Sequence, residues 1–188
     1  PGDKSISHRA IIISSIANGR TKIKGYLNSK DIDATINACR AIGADINKDA
    51  DSLIIDGNNL ERGYGENVDL SFGNSGTSMR LMMGILSAQK FPSALIGDES
   101  LSQRPMNRVA NPLLRMNANI KTSDGTPPVY INPVSSLKCV DHNVEIASAQ
   151  IKSSIMLAGL YGDSAFKIIT PKSRDHTEIM LKEFGCNI

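Results

Sequence analysis

Three short strand-like runs, Thr21–Gly25, Ser93–Gly97 and Ala165–Ile169, open at residues 21, 93 and 165, so each follows the last by 72 residues. A fixed period constrains a fold more than composition does, because it makes the chain a set of like units that bury their apolar faces only together. Ahead of each run stands a helical pattern: SHRAIIISSIANG, GTSMRLMMGILSAQ and AQIKSSIMLAGLYG. All three carry apolar and small residues at helical spacing and then meet Gly or a polar break. After each run comes a second, amphipathic pattern: SKDIDATINACRAIGADI, SQRPMNRVANPLLRMNANI and SRDHTEIMLKEFGCNI, each opening on a serine able to cap a helix. Alternating segments such as Ser52–Asp56 and Val129–Asn132, bounded by Gly, Pro or Asn, follow in the first two units.

The pattern predicts an α/β chain of three repeat units, about 1–65, 66–136 and 137–188, the third without its closing strands. The three first helices are expected to pack together with the sheets outside. The more polar second helices are expected at the solvent face or the rim, and 56–65, rich in Gly and Asn, as a loop. The first residue is Pro with no Met before it, and residues 184–188 stop in mid-pattern, so a piece of a longer polypeptide is expected.

Composition then narrows the partners. A formal net charge of +2 is too mild for a bulk nucleic-acid partner, which needs a clustered basic face. Cys39, Cys139 and Cys186 are odd in number and widely spaced, with no CxxC, so neither a disulfide framework nor a zinc site is written, and a reducing compartment is expected. No apolar run approaches the roughly 18 to 20 residues that span a bilayer, and no signal peptide opens the chain. These features predict a cytoplasmic location with no membrane partner.

One phase of the repeat is chemically distinctive. Stepping 72 residues carries Lys4 to Gly76 and then to Ser148, all at the amino end of a first helix, with Arg9, Arg80 and Lys152 within about a turn. Helix amino termini offer unpaired N–H groups and the positive end of the macrodipole, and small residues let an anion approach them. Arg104 and Arg174 lie near the starts of second helices, the unfavourable end for a cation, and so point to another purpose. Each feature has a plainer reading by itself: a Lys-Ser pair as a solvated cap, GNSGT as a turn capped by Asn74, and Met79, Met82 and Met83 as core. Three anion-friendly helix ends at one repeat phase favour a site for more than one phosphate or carboxylate. His8, His142 and His176 have no partner in the sequence and receive no catalytic role.

The segments PGDKSISHRA, GNSGTSMRL, LSQRPM, SAQIKSSIMLAGL and SRDHTEIMLKEFG, in that order along the chain, resemble the 5-enolpyruvylshikimate-3-phosphate synthase family of carboxyvinyltransferases. The resemblance implies a two-lobed fold, each lobe made of three βαβαββ units around buried parallel helices, with 1–188 as a single amino-terminal lobe. It implies shikimate 3-phosphate on Lys4, Ser5, Arg9, Ser148, Ala149, Gln150, Ser173 and Arg174. Phosphoenolpyruvate is implied on Lys4, Asn74, Gly76, Thr77, Arg104 and Gln150, with Lys4 the catalytic residue that bridges both substrates.

The implied reaction protonates the enol carbon of phosphoenolpyruvate, adds the 5-hydroxyl of shikimate 3-phosphate, and expels inorganic phosphate from the tetrahedral intermediate to leave the enolpyruvyl ether. No cofactor or metal is implied. The main carboxylates and a further Lys of the family come from the carboxy-terminal lobe, which is the implied partner. Leu81 after Arg80, SAQ and RDHTE resemble a second bacterial subgroup, some of whose members tolerate glyphosate, while Gly76 is retained. A stand-alone phosphate-binding module is the alternative from another class. The related UDP-N-acetylglucosamine transferase is disfavoured because no Asn stands within KSISHR and no Cys between Ser100 and Arg104.

Overall fold

The computed structural model describes residues 2–58 and 66–188. Its elements run α1 (Lys4–Ile16), β1 (Asn18–Lys24), α2 (Lys30–Ala41), β2 (Asp45–Asp49), β3 (Ser52–Asn58), β4 (Val68–Ser71), α3 (Gly76–Leu86), β5 (Ser93–Ile96), α4 (Asn107–Arg115), β6 (Asn119–Ser123), β7 (Thr126–Asn132), β8 (His142–Asn143), α5 (Ala149–Gly159), β9 (Ile168–Ile169) and α6 (His176–Glu183). A 3-10 turn, Leu101–Gln103, precedes α4. The middle of the chain thus reads β4, α3, β5, α4, β6, β7, the βαβαββ order. The chain divides into two compact units, Pro1–Arg62 with Asp175–Ile188, and Gly63–Arg174.

In the first unit, β1 and β2 flank β3 in an antiparallel sheet of order β1-β3-β2. Helix α1 lies against β3, α2 and α6. Its interior is apolar because Ile11, Ile12 and Ile13 are all buried, which makes α1 a core helix rather than a one-sided one. Helix α2 is amphipathic: Ile32, Ile36 and Cys39 turn inward, Ser29 caps it, Asp31 and Asp33 sit in its first turn and Arg40 in its last. That charge order complements the helix dipole.

In the second unit the sheet order is β4-β5-β7-β6, with β4 and β5 parallel and the other pairs antiparallel. Strands β8 and β9 form a short parallel pair. Helices α3 and α5 pack closely, and α4 lies on both. A Cβ on Gly84 of α3 would stand 2.2 Å from the Ser154 carbonyl oxygen of α5, so the two backbones meet where only glycine fits. Met79, Met82 and Met83 are fully buried, as the core reading expects.

Several local expectations change. The first strand begins earlier, at Asn18, and the third shortens to Ile168–Ile169. Ser29 does cap α2, but Ser102 lies in the 3-10 turn and Ser173 precedes α6 by three positions, so neither caps its helix. The loop expected over 56–65 is strand as far as Asn58, and residues 59–65 lie outside the described residues.

Candidate functional site

The repeat phase holds in the structure to within one residue. Lys4 and Gly76 are the first residues of α1 and α3, and Ser148 is the cap before Ala149, the first residue of α5. The caps are equivalent but chemically different. Asp3 accepts from the Ile6 N–H at 2.8 Å, Ser75 from Ser78 at 3.4 Å, and Ser148 from Ile151 at 3.3 Å. A carboxylate already answers the dipole of α1, so the positive charge at this helix start is that of the Lys4 and Arg9 side chains rather than of an open ring of N–H groups.

In the second unit the turn Phe72–Ser75 leads from β4 into α3. Ser75, not Asn74, caps the helix, which corrects the role expected of Asn74. Asn74 instead joins two charges: its amide nitrogen donates to both Asp98 carboxylate oxygens, at 3.1 and 3.0 Å, and its amide oxygen accepts from Arg104. Arg104 also reaches the Asn74 carbonyl at 3.4 Å and the Ser100 hydroxyl at 3.3 Å. Gly76 is buried, and a Cβ there would lie 3.2 Å from Arg80 Nη1 and 3.4 Å from Arg104 Nη1. Two guanidinium groups therefore border the first residue of α3 with no side chain between them.

Arg80, one turn into α3, donates to Gln150 Oε1 at 2.9 Å and to the Pro105 carbonyl at 3.1 Å, and Gln150 Nε2 donates to Thr77 Oγ1 at 3.0 Å. Burial first, and then the charges of Arg104 and Arg108, hold the Arg80 pKa below its ordinary value. Arg104 and Arg108 thus add two further positive charges near the partly buried Arg80. The Ser173 hydroxyl is buried without a hydrogen-bond partner among the described residues, and Arg174 beside it is exposed.

In the first unit, Lys4 pairs with Asp31 of α2. Arg9 is almost wholly buried, only 3% exposed; its Nε donates to Thr177 Oγ1 of α6 at 2.7 Å and its Nη1 to the Ser5 carbonyl at 3.1 Å. His8 lies between these cations in sequence, fully buried, with Nδ1 2.6 Å from Thr35 Oγ1. Burial, with Lys4 next in effect, lowers its pKa to about 4, so the ring is neutral near pH 7. His176 is half-buried at the start of α6.

Of the residues expected at the site, Asn74 and Arg104 are joined with Asp98 in one hydrogen-bonded set of the second unit, Thr77 and Gln150 with Arg80 in another, and the guanidiniums of both sets border Gly76. Lys4, Ser5 and Arg9 share the first turns of α1. Lys152 lies within about a turn of the amino end of α5, as expected, and is buried. Arg108, whose charge is felt at Arg80, is not among the residues that the sequence singles out. Asp98 carried no signal in the sequence at all.

Comparison with known proteins bears on this arrangement. The family model described as EPSP synthase (3-phosphoshikimate 1-carboxyvinyltransferase) matches residues 1–188. A 3-phosphoshikimate 1-carboxyvinyltransferase of Vesicomyosocius okutanii is 51% identical over 189 residues, covering 98% of this chain and 43% of that protein. Its counterpart in Geobacter metallireducens is 48% identical over 191 residues, covering 100% of this chain and 44% of that protein. The solved EPSP synthase of Acinetobacter baumannii superposes with a TM-score of 0.92 at 45% identity, over 100% of this chain and 43% of that chain. The chain therefore spans less than half the length of the relatives it matches, and its α/β repeat architecture is that of the corresponding part of the solved enzyme. With the family model matching from the first residue to the last, the chain belongs to the EPSP synthase family.

Proposed function

We propose that this chain is the lobe of a 3-phosphoshikimate 1-carboxyvinyltransferase that binds shikimate 3-phosphate and contributes to the phosphoenolpyruvate site. The observation that carries the reading is Gly76, a buried, side-chain-free helix start bordered by the guanidiniums of Arg80 and Arg104. Such a place suits a compact, multiply charged anion: backbone N–H groups at short range, two planar forks, and a neutral Gln150 held at a fixed angle.

On this reading Arg104, Gly76 and Gln150 take phosphoenolpyruvate, with Asn74 and Thr77 shaping their surroundings. The resemblance to the family supports Lys4, Ser5, Arg9, Ser148, Ala149, Gln150, Ser173 and Arg174 as the contacts for shikimate 3-phosphate. The unpaired Ser173 hydroxyl supports its part, because a buried polar atom without a partner is costly until a ligand supplies one. The resemblance to the family supports Lys4, which here pairs with Asp31, as the residue that serves both anions.

Chemistry follows from charge. Protonation of the enol carbon and addition of the 5-hydroxyl form a tetrahedral species that keeps its phosphate and carboxylate, and preformed cations stabilise it without reorganising. Loss of phosphate completes the transfer. Acid and base groups beyond these residues belong to the second lobe, and turnover is accordingly assigned to the two-lobed protein.

Calorimetric titration with shikimate 3-phosphate, with shikimate as control, tests the binding half of the proposal. Binding that requires the phosphate and weakens about ten-fold in Lys4→Ala is the expected result. Equal binding of both ligands, or phosphate-dependent binding indifferent to Lys4, refutes it.

A further inference from the structure

The phosphoenolpyruvate reading names Arg104 as an anion ligand but leaves open what holds a flexible side chain in place beside another cation. Arg80 and Arg104 both border Gly76 and their charges repel, so the Arg104 guanidinium needs fixed acceptors to stay there. Its side-chain acceptors are Asn74 Oδ1 and Ser100 Oγ, supplemented by the Asn74 carbonyl. Both residues are tied to one group. The Asp98 carboxylate accepts the Asn74 amide on both oxygens, the Leu101 N–H at 2.8 Å, and the Ser100 main chain.

Asp98 is itself fixed by the backbone, its N–H donating to the Gly73 carbonyl at 2.8 Å and its own carbonyl accepting from Ser102 at 2.8 Å. An ionised carboxylate only accepts, so Asn74 must turn its NH2 toward Asp98 and its oxygen toward Arg104. We infer that Asp98 is a positioning residue for phosphoenolpyruvate binding, orienting Arg104 through Asn74 and Ser100. This rests on the proposed function, in which Arg104 is the anion ligand.

The chemistry makes a specific demand. An amide at position 98 can donate as well as accept, so Asn74 is free to flip and present NH2 to the guanidinium, where it offers nothing. Asp98→Asn removes a single charge at nearly constant shape, and Asp98→Glu keeps the acceptor-only chemistry.

Steady-state kinetics of the full-length, two-lobed protein, varying each substrate in turn, provide the test. Asp98→Asn is expected to raise KM for phosphoenolpyruvate about ten-fold while KM for shikimate 3-phosphate stays within about two-fold, and Asp98→Glu to recover most of the loss. Should the Asn variant fail to fold, Asn74→Ala cuts the same relay with Asp98 in place and carries the same expectation. Unchanged phosphoenolpyruvate KM, or a parallel rise for both substrates, overturns the inference while leaving the proposed function standing. Absence of phosphoenolpyruvate-dependent turnover in the unaltered protein overturns both.

Discussion

Acidification should destabilise this chain through His8 before its carboxylates titrate. The ring is fully buried on α1, with Nδ1 2.6 Å from the Thr35 hydroxyl and Nε2 unpartnered among the described residues. Burial is the main reason its pKa falls from 6.5 to about 4; Lys4 and Arg9 add to the fall, and Asp31 opposes it. The folded state therefore binds its proton later than the unfolded state. Between pH 6.5 and 4 the unfolded chain holds more protons at this site, so stability is lost as pH falls through that window and the effect levels off below it. At about 1.4 kcal/mol per pH unit, the full loss amounts to about 3 kcal/mol. The assay is urea unfolding at half-unit pH steps for the unaltered chain and for His8→Gln. Taking the difference removes His142, also lowered chiefly by burial, together with the depressed carboxylates of Asp49, Asp56, Asp98 and Asp163. The two stability curves should diverge toward neutral pH, the unaltered chain gaining. Parallel curves, or divergence in the opposite sense, refute the argument.

Two glycines give further expectations. Gly84→Ala forces a methyl to within 2.2 Å of the Ser154 carbonyl oxygen, and separating two packed helices should cost about 3 kcal/mol, read as a lowered melting temperature. Gly76→Ala meets only side-chain atoms, at 3.2 to 3.4 Å, which can yield by a few tenths of an ångström. Its melting temperature should hardly move, while phosphoenolpyruvate affinity falls because Arg80 and Arg104 are displaced; a loss of stability equal to that of Gly84→Ala would show that Gly76 serves packing instead.

The large pattern of this fold was open to reading because it rests on periodicity. Recurrence at 72 residues placed the starts of α1, α3 and α5 to within one residue, and the apolar spacing of each marked it as buried. Capping was read less well, since it depends on tertiary company. Ser102 looks like a cap, but the Asp98 carboxylate draws the chain into a 3-10 turn first and delays α4 to Asn107. Asn74 looks like a cap for the same statistical reason as Ser75, and only the nearness of Asp98 and Arg104, 24 and 30 residues on, decides between them. His8 gave no hint of burial, because its partner Thr35 lies 27 residues away on another helix. Relations of this kind are made by the fold and have no local signature.

Residues 175–188 pack with the start of the chain, while 63–174 form the other unit, and this order has a consequence for synthesis. The Thr177 hydroxyl that receives Arg9 lies 168 residues after it. At ribosomal speeds that interval is roughly ten to thirty seconds. Throughout it α1 and its β-sheet wait without α6, and the later-made unit can close first. The segment that holds α1 is thus completed only when α6 emerges, a window in which a nascent chain presents its incomplete core to chaperones and proteases.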